Sequence, residues 1–405
     1  MTSRYGLGGY LAGATSARVG DEMSGPALLI VGLAATGSVT TASLLLTALT
    51  ATAALGGPVL GALIDRSGRP GRVLALTLAG YAAGLAVVLA SVGHLPVAVV
   101  TLAAALTGLL NPAVAGGWTA QLPGVVPAER FGRANSLDAL TFGAASLAGP
   151  ALAGVVASAA GAPIALVVAI VAVAASVPAA LRLPPPRTRQ RRRGVLRTEL
   201  ATGFRAIVTV RPLLRATGTS MVSFAGVGMF IVCAPLLGEQ RFGSANIGAL
   251  LLAALAAAAM SANAVLARKP GLLRPGTILL GSTLLLCAGL LVTSVTTSPV
   301  IVVGAVLLAG IGEGPQLTAL FAIRHEHAPD GMRAQIFTTG ASLKIAGFAA
   351  GTAVAGPLAA MSLPVCLAVA AGFEALAALL YLCLPEPGQH SKTRKPRKPL
   401  PERAA

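Results

Sequence analysis

Three charged residues, Arg18, Asp21 and Glu22, stand inside the first apolar run of the chain, which extends from about Tyr5 to Leu33. A charge within a lipid-spanning helix costs at least about 2.5–3.5 kcal/mol on insertion scales, so each is a candidate for handling an ion, a ligand or a partner charge. On a helix, positions 18, 21 and 22 are i, i+3 and i+4, which puts Arg18 on one face with both carboxylates and lets it pair with either. One acid is then left over. A carboxyl withdrawn from water and from cations holds a proton more readily, so the unpaired acid, taken here as Asp21, can accept a proton on one side of a membrane and release it on the other. The competing reading is a structural ion pair that fixes this helix.

Later apolar runs hold further charges. Glu313, beside Gly314-Pro315, is a second candidate for proton or cationic-substrate contact, against a capping or lipid-edge role. Lys344 and Glu374 are placed to form an ion pair between adjacent helices. Asp138, close to the start of another run, reads as a solvated group or a helix N-terminal partner. His325 and His327 fall in a charged segment taken as a loop, where an isolated HxH is a weak metal signal. No metal or cofactor is expected.

The elements that position these residues follow from composition. Of 405 residues, 55% are hydrophobic and 11% charged, where a soluble domain carries about a quarter charged residues. The mean hydropathy is +0.81. A membrane span needs about 20 mainly apolar residues, and runs of that length recur at 8–33, 39–63, 73–93, 96–118, 134–158, 162–182, 214–237, 245–267, 276–295, 299–322, 335–359 and 363–384. The abundant Gly and Pro, 48 and 27 residues, fit such helices, where neighbouring segments satisfy freed backbone groups. The first run is too long for a cleaved signal and is expected to remain as a helix. Cys233, Cys287, Cys366 and Cys383 all lie in apolar runs without CxxC spacing, which argues against a disulfide framework or a zinc site and reads them as small packing residues.

All of the 30 Lys and Arg residues except Arg18, Lys344 and Arg241 fall in the N-terminal segment, the even-numbered connections or the tail. The positive-inside rule then places both termini in the cytoplasm of a multi-pass plasma-membrane protein. The same distribution explains the net charge of +17 as topology and attraction to anionic lipid headgroups at the basic linker and tail. Aromatic content of 4% and the lack of a basic stripe interleaved with stacking residues argue against a nucleic-acid partner. The expected domains are a six-helix bundle over 1–183, a basic linker over 184–212 beginning Pro184-Pro185-Pro186-Arg187, a second six-helix bundle over 213–384, and a basic, disordered tail over 385–405. The halves echo each other: Asn111-Pro112, Pro127, Arg133-Ala134-Asn135, Gly143, Gly149 and Gly154 return as Glu313-Gly314-Pro315, Pro329, Arg333-Ala334-Gln335, Gly340, Gly347 and Gly351.

After the second run comes Gly61-Ala62-Leu63-Ile64-Asp65-Arg66-Ser67-Gly68-Arg69-Pro70-Gly71-Arg72. It resembles the loop 2–3 signature of the major facilitator superfamily, GxxxDRxGRxxR, through Gly61, Asp65, Arg66, Gly68, Arg69 and Arg72. Gly61 allows close helix approach, Gly68 a tight turn, and Asp65 a charge-assisted link to an Arg or a helix N-terminus. The resemblance implies that this loop meets the start of the eleventh span and holds the outward-open state, with Asp65 a conformational latch. The loop after the eighth span, Arg268-Lys269-Pro270-Gly271, lacks the Asp, which makes the latch one-sided. Gly143 and Gly149-Pro150-Ala151-Leu152-Ala153-Gly154 resemble the superfamily's exporter motif, in which Pro150 bends the helix while the glycines let it pack closely. The segment Ser16 to Glu22 with Ala27-Leu28-Leu29 and Thr36-Gly37-Ser38 is similar to the enterobactin-exporter and macrolide-efflux-like branch. The likeness continues through Gly203-Phe204-Arg205 and Arg211-Pro212-Leu213-Leu214.

What the resemblance implies is an all-α fold of twelve transmembrane helices in two pseudo-symmetric six-helix bundles, acting as a monomer. The expected activity is proton-antiport export of a small amphiphilic molecule, with Asp21 and Glu313 exchanging protons. Import or facilitated passage of a metabolite is the alternative, followed by a membrane sensor or interaction protein. No Ser/His/Asp, paired-His or phosphate-loop constellation supports an enzyme.

Overall fold

The computed structural model describes residues 6–185, 196–244, 246–269, 271 and 273–384. Arg4, the stretch 186–195, Pro270 and the tail over 385–405 lie outside the described residues, so the expectations for them are not addressed. Twelve long helical segments follow in order: α1 Leu7–Thr36, α2 Val39–Arg66, α3 Pro70–Ser91, α4 Val97–Gly108, α5 Phe131–Ala160, α6 Ala162–Leu181, α7 Arg211–Phe242, α8 Asn246–Arg268, α9 Pro275–Val295, α10 Pro299–His327, α11 Arg333–Met361 and α12 Leu363–Cys383. Eleven segments are long and apolar enough to cross a membrane. The twelfth, α1, has 30 residues and is less apolar because it carries Arg18, Asp21 and Glu22.

Helix boundaries follow from Gly and Pro chemistry. Prolines open α3, α6, α7, α9, α10 and α12, where the missing N–H would have had no helical partner. Gly37 (φ 64°) and Gly243 (φ 77°) end α1 and α7 in the left-handed region, which other residues adopt at a cost. The fourth span is not continuous as expected. Helix α4 stops at Gly108, passes through turns around Asn111-Pro112, and resumes as a π-helical turn at Ala113–Gly117. Pro112 supplies no backbone donor and crowds the preceding turn, which breaks the ladder there.

One apolar core serves the first half, built around Tyr10, Met23, Leu74, Tyr81, Leu85 and Trp118. A second, around Met229, Phe230, Leu286, Leu290, Val306 and Leu367, serves the other half. A third cluster is shared, joining Ile64, Ala120 and Ala139 to Leu279, Phe321 and Phe337. The bundles pack through α2 on α11 and through α5 on α8 and α10. The hydrogen bonds across this junction lie in the helix halves nearest the basic loops: Gly57 N–H to Ser342 Oγ (3.1 Å), Ser342 Oγ to the Ala53 carbonyl (2.8 Å), Thr338 Oγ1 to the Gly57 carbonyl (2.6 Å) and Asn135 Nδ2 to the Thr318 carbonyl (2.8 Å). Farther along, α2 returns to its own bundle, with Gly32 against Ala42 and Gly108 against Leu49.

Two local differences from the sequence expectation stand out. Part of the linker is a helix, Leu196–Thr209, whose Ala206 and Ile207 are buried against Leu213, Met332 and Ile336. Its opposite face, including Phe204 and Arg205, is exposed. Helix α10 also runs through His327, so His325 is in a helix rather than a loop and is buried. Its ring sits between Phe131 and Phe337, at centroid distances of 4.9 and 4.4 Å, and basic residues in a last turn complement the helix dipole.

Candidate functional site

Arg18 does not pair with Asp21 or Glu22. Side chains on a helix lean toward its N-terminus, which sends the guanidinium away from residues three and four positions ahead and toward the basic end. There it meets Asp138 of α5: Nη1 donates to Asp138 Oδ1 (2.9 Å), to its carbonyl (3.0 Å) and to Thr141 Oγ1, while Nη2 donates to Thr119 Oγ1 (3.0 Å). Thr119 and Tyr10 donate in turn to the Asp138 carboxylate, at 2.8 and 3.0 Å. The guanidinium also lies 3.7 Å from the centroid of Phe142. Asp138 is therefore the fully buried partner of Arg18, which corrects its reading as a solvated or N-terminal group. A buried pair whose guanidinium Nη1 and Nη2 and whose two carboxylate oxygens all find partners is a structural joint between α1 and α5.

Freed from Arg18, both acids of α1 have other surroundings. Asp21 Oδ1 accepts hydrogen bonds from Tyr81 of α3 (2.7 Å) and from Asn111 Nδ2 at the break of α4 (2.5 Å). Ser24 Oγ donates to the Asp21 carbonyl (2.7 Å) and lies 3.2 Å from the Tyr81 hydroxyl. Both donors to the carboxyl reach Oδ1, which leaves Oδ2 to carry a proton without disturbing them. Glu22 points another way, accepting from Ser146 of α5 (3.3 Å). Asp21, Glu22 and Asn111 are all half-buried.

The facing bundle contributes Glu313 of α10 and Lys344 of α11, also half-buried. Lys344 lies within electrostatic reach of Glu313 in its own bundle, Arg324 at the basic end and Glu22 across the junction. Its Nζ also sits 3.8 Å from the centroid of Phe224. The expected Lys344–Glu374 ion pair does not form: Lys344 Nζ lies over the Phe224 ring, and neither carboxyl oxygen of Glu374 has a hydrogen-bond partner. Lys344 turns toward the space between the bundles and Glu374 turns into the second bundle, where it is completely buried. Charges from α1, α10 and α11 thus converge where the bundles face each other, beyond the junction at the basic end.

At that junction, Asp65 accepts the backbone N–H groups of Ala334 (2.9 Å, Oδ1) and Gln335 (2.7 Å, Oδ2) in the first turn of α11. A carboxylate on free N–H groups at a helix N-terminus is favourable both as a charge-assisted hydrogen bond and as a dipole partner. Gly61 lies so close to Gln335 and Thr338 that a Cβ would overlap both. Gly68 has open space around it and no positive φ, so the turn does not require glycine there. Arg66, Arg69 and Arg72 lie at the exposed surface. In α5, a Cβ on Gly143 would meet Met260 of α8 at 2.9 Å, and one on Gly149 would meet Glu22 Cβ at 2.5 Å. Pro150 is within a continuous helix, and nothing lies within 4 Å of the Cβ position of Gly154, which therefore does not supply the close packing expected of it.

Sequence reasoning did not single out Tyr81, Asn111, Thr119 or Arg324. Asn111-Pro112 was visible as a repeat element, and its break is what aims Asn111 at Asp21. Arg324 looked like one more loop charge, yet it is buried, with Nε and Nη2 lacking a partner. Among the described residues no group of three or more His, Cys, Asp or Glu could hold a metal ion.

Two six-helix bundles with intramembrane charges facing each other across their junction define the architecture of a membrane transporter. The Major Facilitator Superfamily profile matches residues 10–343, and the chain belongs to that family. No curated protein sequence gives a significant match. Similar solved structures include the human organic anion transporter MFSD10 (TETRAN), at 17% identity and a TM-score of 0.75, covering 94% of this chain and 100% of that one. A bacterial homologue of the iron transporter ferroportin, in an outward-facing state, has 16% identity and a TM-score of 0.75 over 93% and 98% of the two chains. The E. coli fucose:proton symporter FucP has 13% identity and a TM-score of 0.71 over 95% and 100%. At these identities the likeness is one of fold.

Proposed function

We propose that this chain exports a small amphiphilic molecule from the cytoplasm across the plasma membrane by alternating access, driven by proton antiport. The observation that carries the reading is Asp21, a half-buried carboxyl held on one oxygen by Tyr81 and Asn111 with the other left for a proton. Its neighbour Glu22 reaches toward Lys344, and Lys344 toward Glu313, so a change of charge on one bundle is felt by the other. The basic loops mark the joined end as cytoplasmic. In that orientation Asp65 on the N-terminus of α11 is the latch that holds the cytoplasmic side shut and the opposite side accessible. Gly143 and Gly149 of α5 set that helix against α8 and α1, close enough to seal the bundles between turnovers. Export is supported by this motif and by the similarity of α1 to efflux proteins. The amphiphilic character of the cargo follows from Phe224 beside acids and a lysine.

The experiment is a panel of drugs and metabolites applied to cells that overexpress the protein or carry Asp21→Asn at the same level. An exporter lowers the intracellular amount of its substrate, and the variant does not. A compound whose accumulation rises with expression identifies an importer instead.

A further inference from the structure

Within the second bundle, behind the inter-bundle face, Glu374 of α12 is 0% exposed and neither of its carboxyl oxygens accepts a hydrogen bond. The helices packed around α12 are α7, α9 and α11. From α7 come the Ser223 hydroxyl and Gly226, whose Cβ position is 3.2 Å from a Glu374 oxygen. From α9 comes the Cys287 thiol, which donates to the Ala371 carbonyl at 3.4 Å. Glu313 of α10 is the other acid within reach. Lys344 of α11 lies over Phe224, Arg333 stands at the far, basic end of α11, and Arg215 of α7 donates to the Tyr381 carbonyl and covers the Tyr381 ring. None of these neutralises a negative charge on Glu374.

Ser223 belongs to a short polar string. Gln316 Nε2 donates to both Thr283 Oγ1 (2.9 Å) and Ser223 Oγ (3.0 Å), while the return contact from Ser223 Oγ to Gln316 Oε1 is long, at 3.4 Å. The Ser223 oxygen, engaged by one strong donor, has a lone pair left for a carboxylic O–H. A fully buried carboxylate with no cation and no short hydrogen-bond donor among its protein neighbours is not sustained as an ion in such an interior, whereas a neutral carboxylic acid is. Gln316 lies one helical turn from Glu313, so the string runs from the inter-bundle face inward.

We propose that Glu374 is a proton-binding site in its own right, a carboxylic acid kept protonated inside the second bundle with Ser223 as its neighbour, separate from Asp21. It does not depend on the transport reading, because the bound proton is measurable in the substrate-free protein. The full-length protein in lipid bilayers is compared with Glu374→Gln by infrared spectroscopy. A carboxylic C=O that accepts no hydrogen bond absorbs at the high-frequency end of the carboxyl region, apart from acids that accept hydrogen bonds. The expected result is one such band in the wild type, shifted in heavy water, lost in Glu374→Gln and unchanged by added sodium or potassium. Ser223→Ala retains the carboxyl and is expected to move the same band, so the assignment does not rest on one variant. Absence of the band from the wild type, its persistence in Glu374→Gln, or its removal by sodium or potassium overturns the proposal, the last in favour of a metal-cation site. Unchanged export after loss of the band leaves this site standing and separates it from Asp21.

Discussion

Asp65→Asn keeps the shape of the proposed latch, the contact of Asp65 with the first turn of α11, and removes its charge. In the state described here, the two carboxylate oxygens accept the N–H groups of Ala334 and Gln335 at 2.9 and 2.7 Å. Hydrogen bonds to charged groups contribute about 1.5–3 kcal/mol each. A carboxylate at a helix N-terminus contributes up to about 2 kcal/mol, partly through the same contacts. Asparagine offers one acceptor and turns an amide N–H2 toward the second donor, so roughly 3 kcal/mol of the preference for the joined state is lost. These contacts vanish when α11 leaves α2, and the whole difference therefore acts on the conformational equilibrium. Since about 1.4 kcal/mol is tenfold, the opened population rises about a hundredfold. A reporter cysteine at Ala319, which is 1% exposed in the shared cluster, measures this in a background where the exposed Cys383 is replaced. The expected outcome is a labelling rate up to about a hundredfold higher in Asp65→Asn, with faster hydrogen exchange in the first turn of α11. Equal labelling and equal exchange in the two proteins would refute the latch.

Other perturbations separate joints from moving parts. Gly61→Ala places a Cβ on Gln335 and Thr338 and is expected to weaken the same junction by about 1–3 kcal/mol, read by the same reporter. Asp138→Asn leaves Arg18 buried without its counter-charge, and a loss of about 3–5 kcal/mol should appear as a lower melting temperature in detergent. Arg18→Met combined with Asp138→Asn should cost less than the sum of the two single changes; simple additivity would show that the pair is not coupled. Gly149→Ala drives a Cβ to 2.5 Å from Glu22 Cβ, so transport should fall while expression holds, and unaltered transport would remove the close contact from the mechanism.

The limits of the twelve helices were legible because lipid imposes a minimum run of apolar residues and because Pro and Gly punctuate the ends. The α4 break was not read from Pro112, since membrane helices often carry proline without breaking, as α10 does at Pro315. The linker helix was hidden by its charges: Gly203, Ala206 and Ile207 form a buried stripe, but the stretch is too short and polar to signal a span. Charges in apolar context were easier to find in the sequence than the groups they meet. Arg18, Asp21, Glu22, Glu313 and Lys344 were recognisable as charges in apolar context, whereas Arg18 with Asp138 joins residues 120 positions apart and spacing along one helix suggested the wrong acid. Glu374 was likewise assigned to Lys344 because the two helices are neighbours, and only the direction of each side chain separates them. The Asp65 contact, by contrast, lay in the loop motif and formed at the start of α11.

In the proposed mechanism, Asp21 couples proton movement to export. Its most direct test is substrate accumulation in inverted membrane vesicles under an imposed pH gradient, using the substrate found in the panel and matched amounts of wild type and Asp21→Asn. The wild type should concentrate the substrate only while the gradient lasts, and Asp21→Asn should bind it yet fail to concentrate it. Gradient-driven accumulation that survives intact in Asp21→Asn would remove Asp21 from proton coupling.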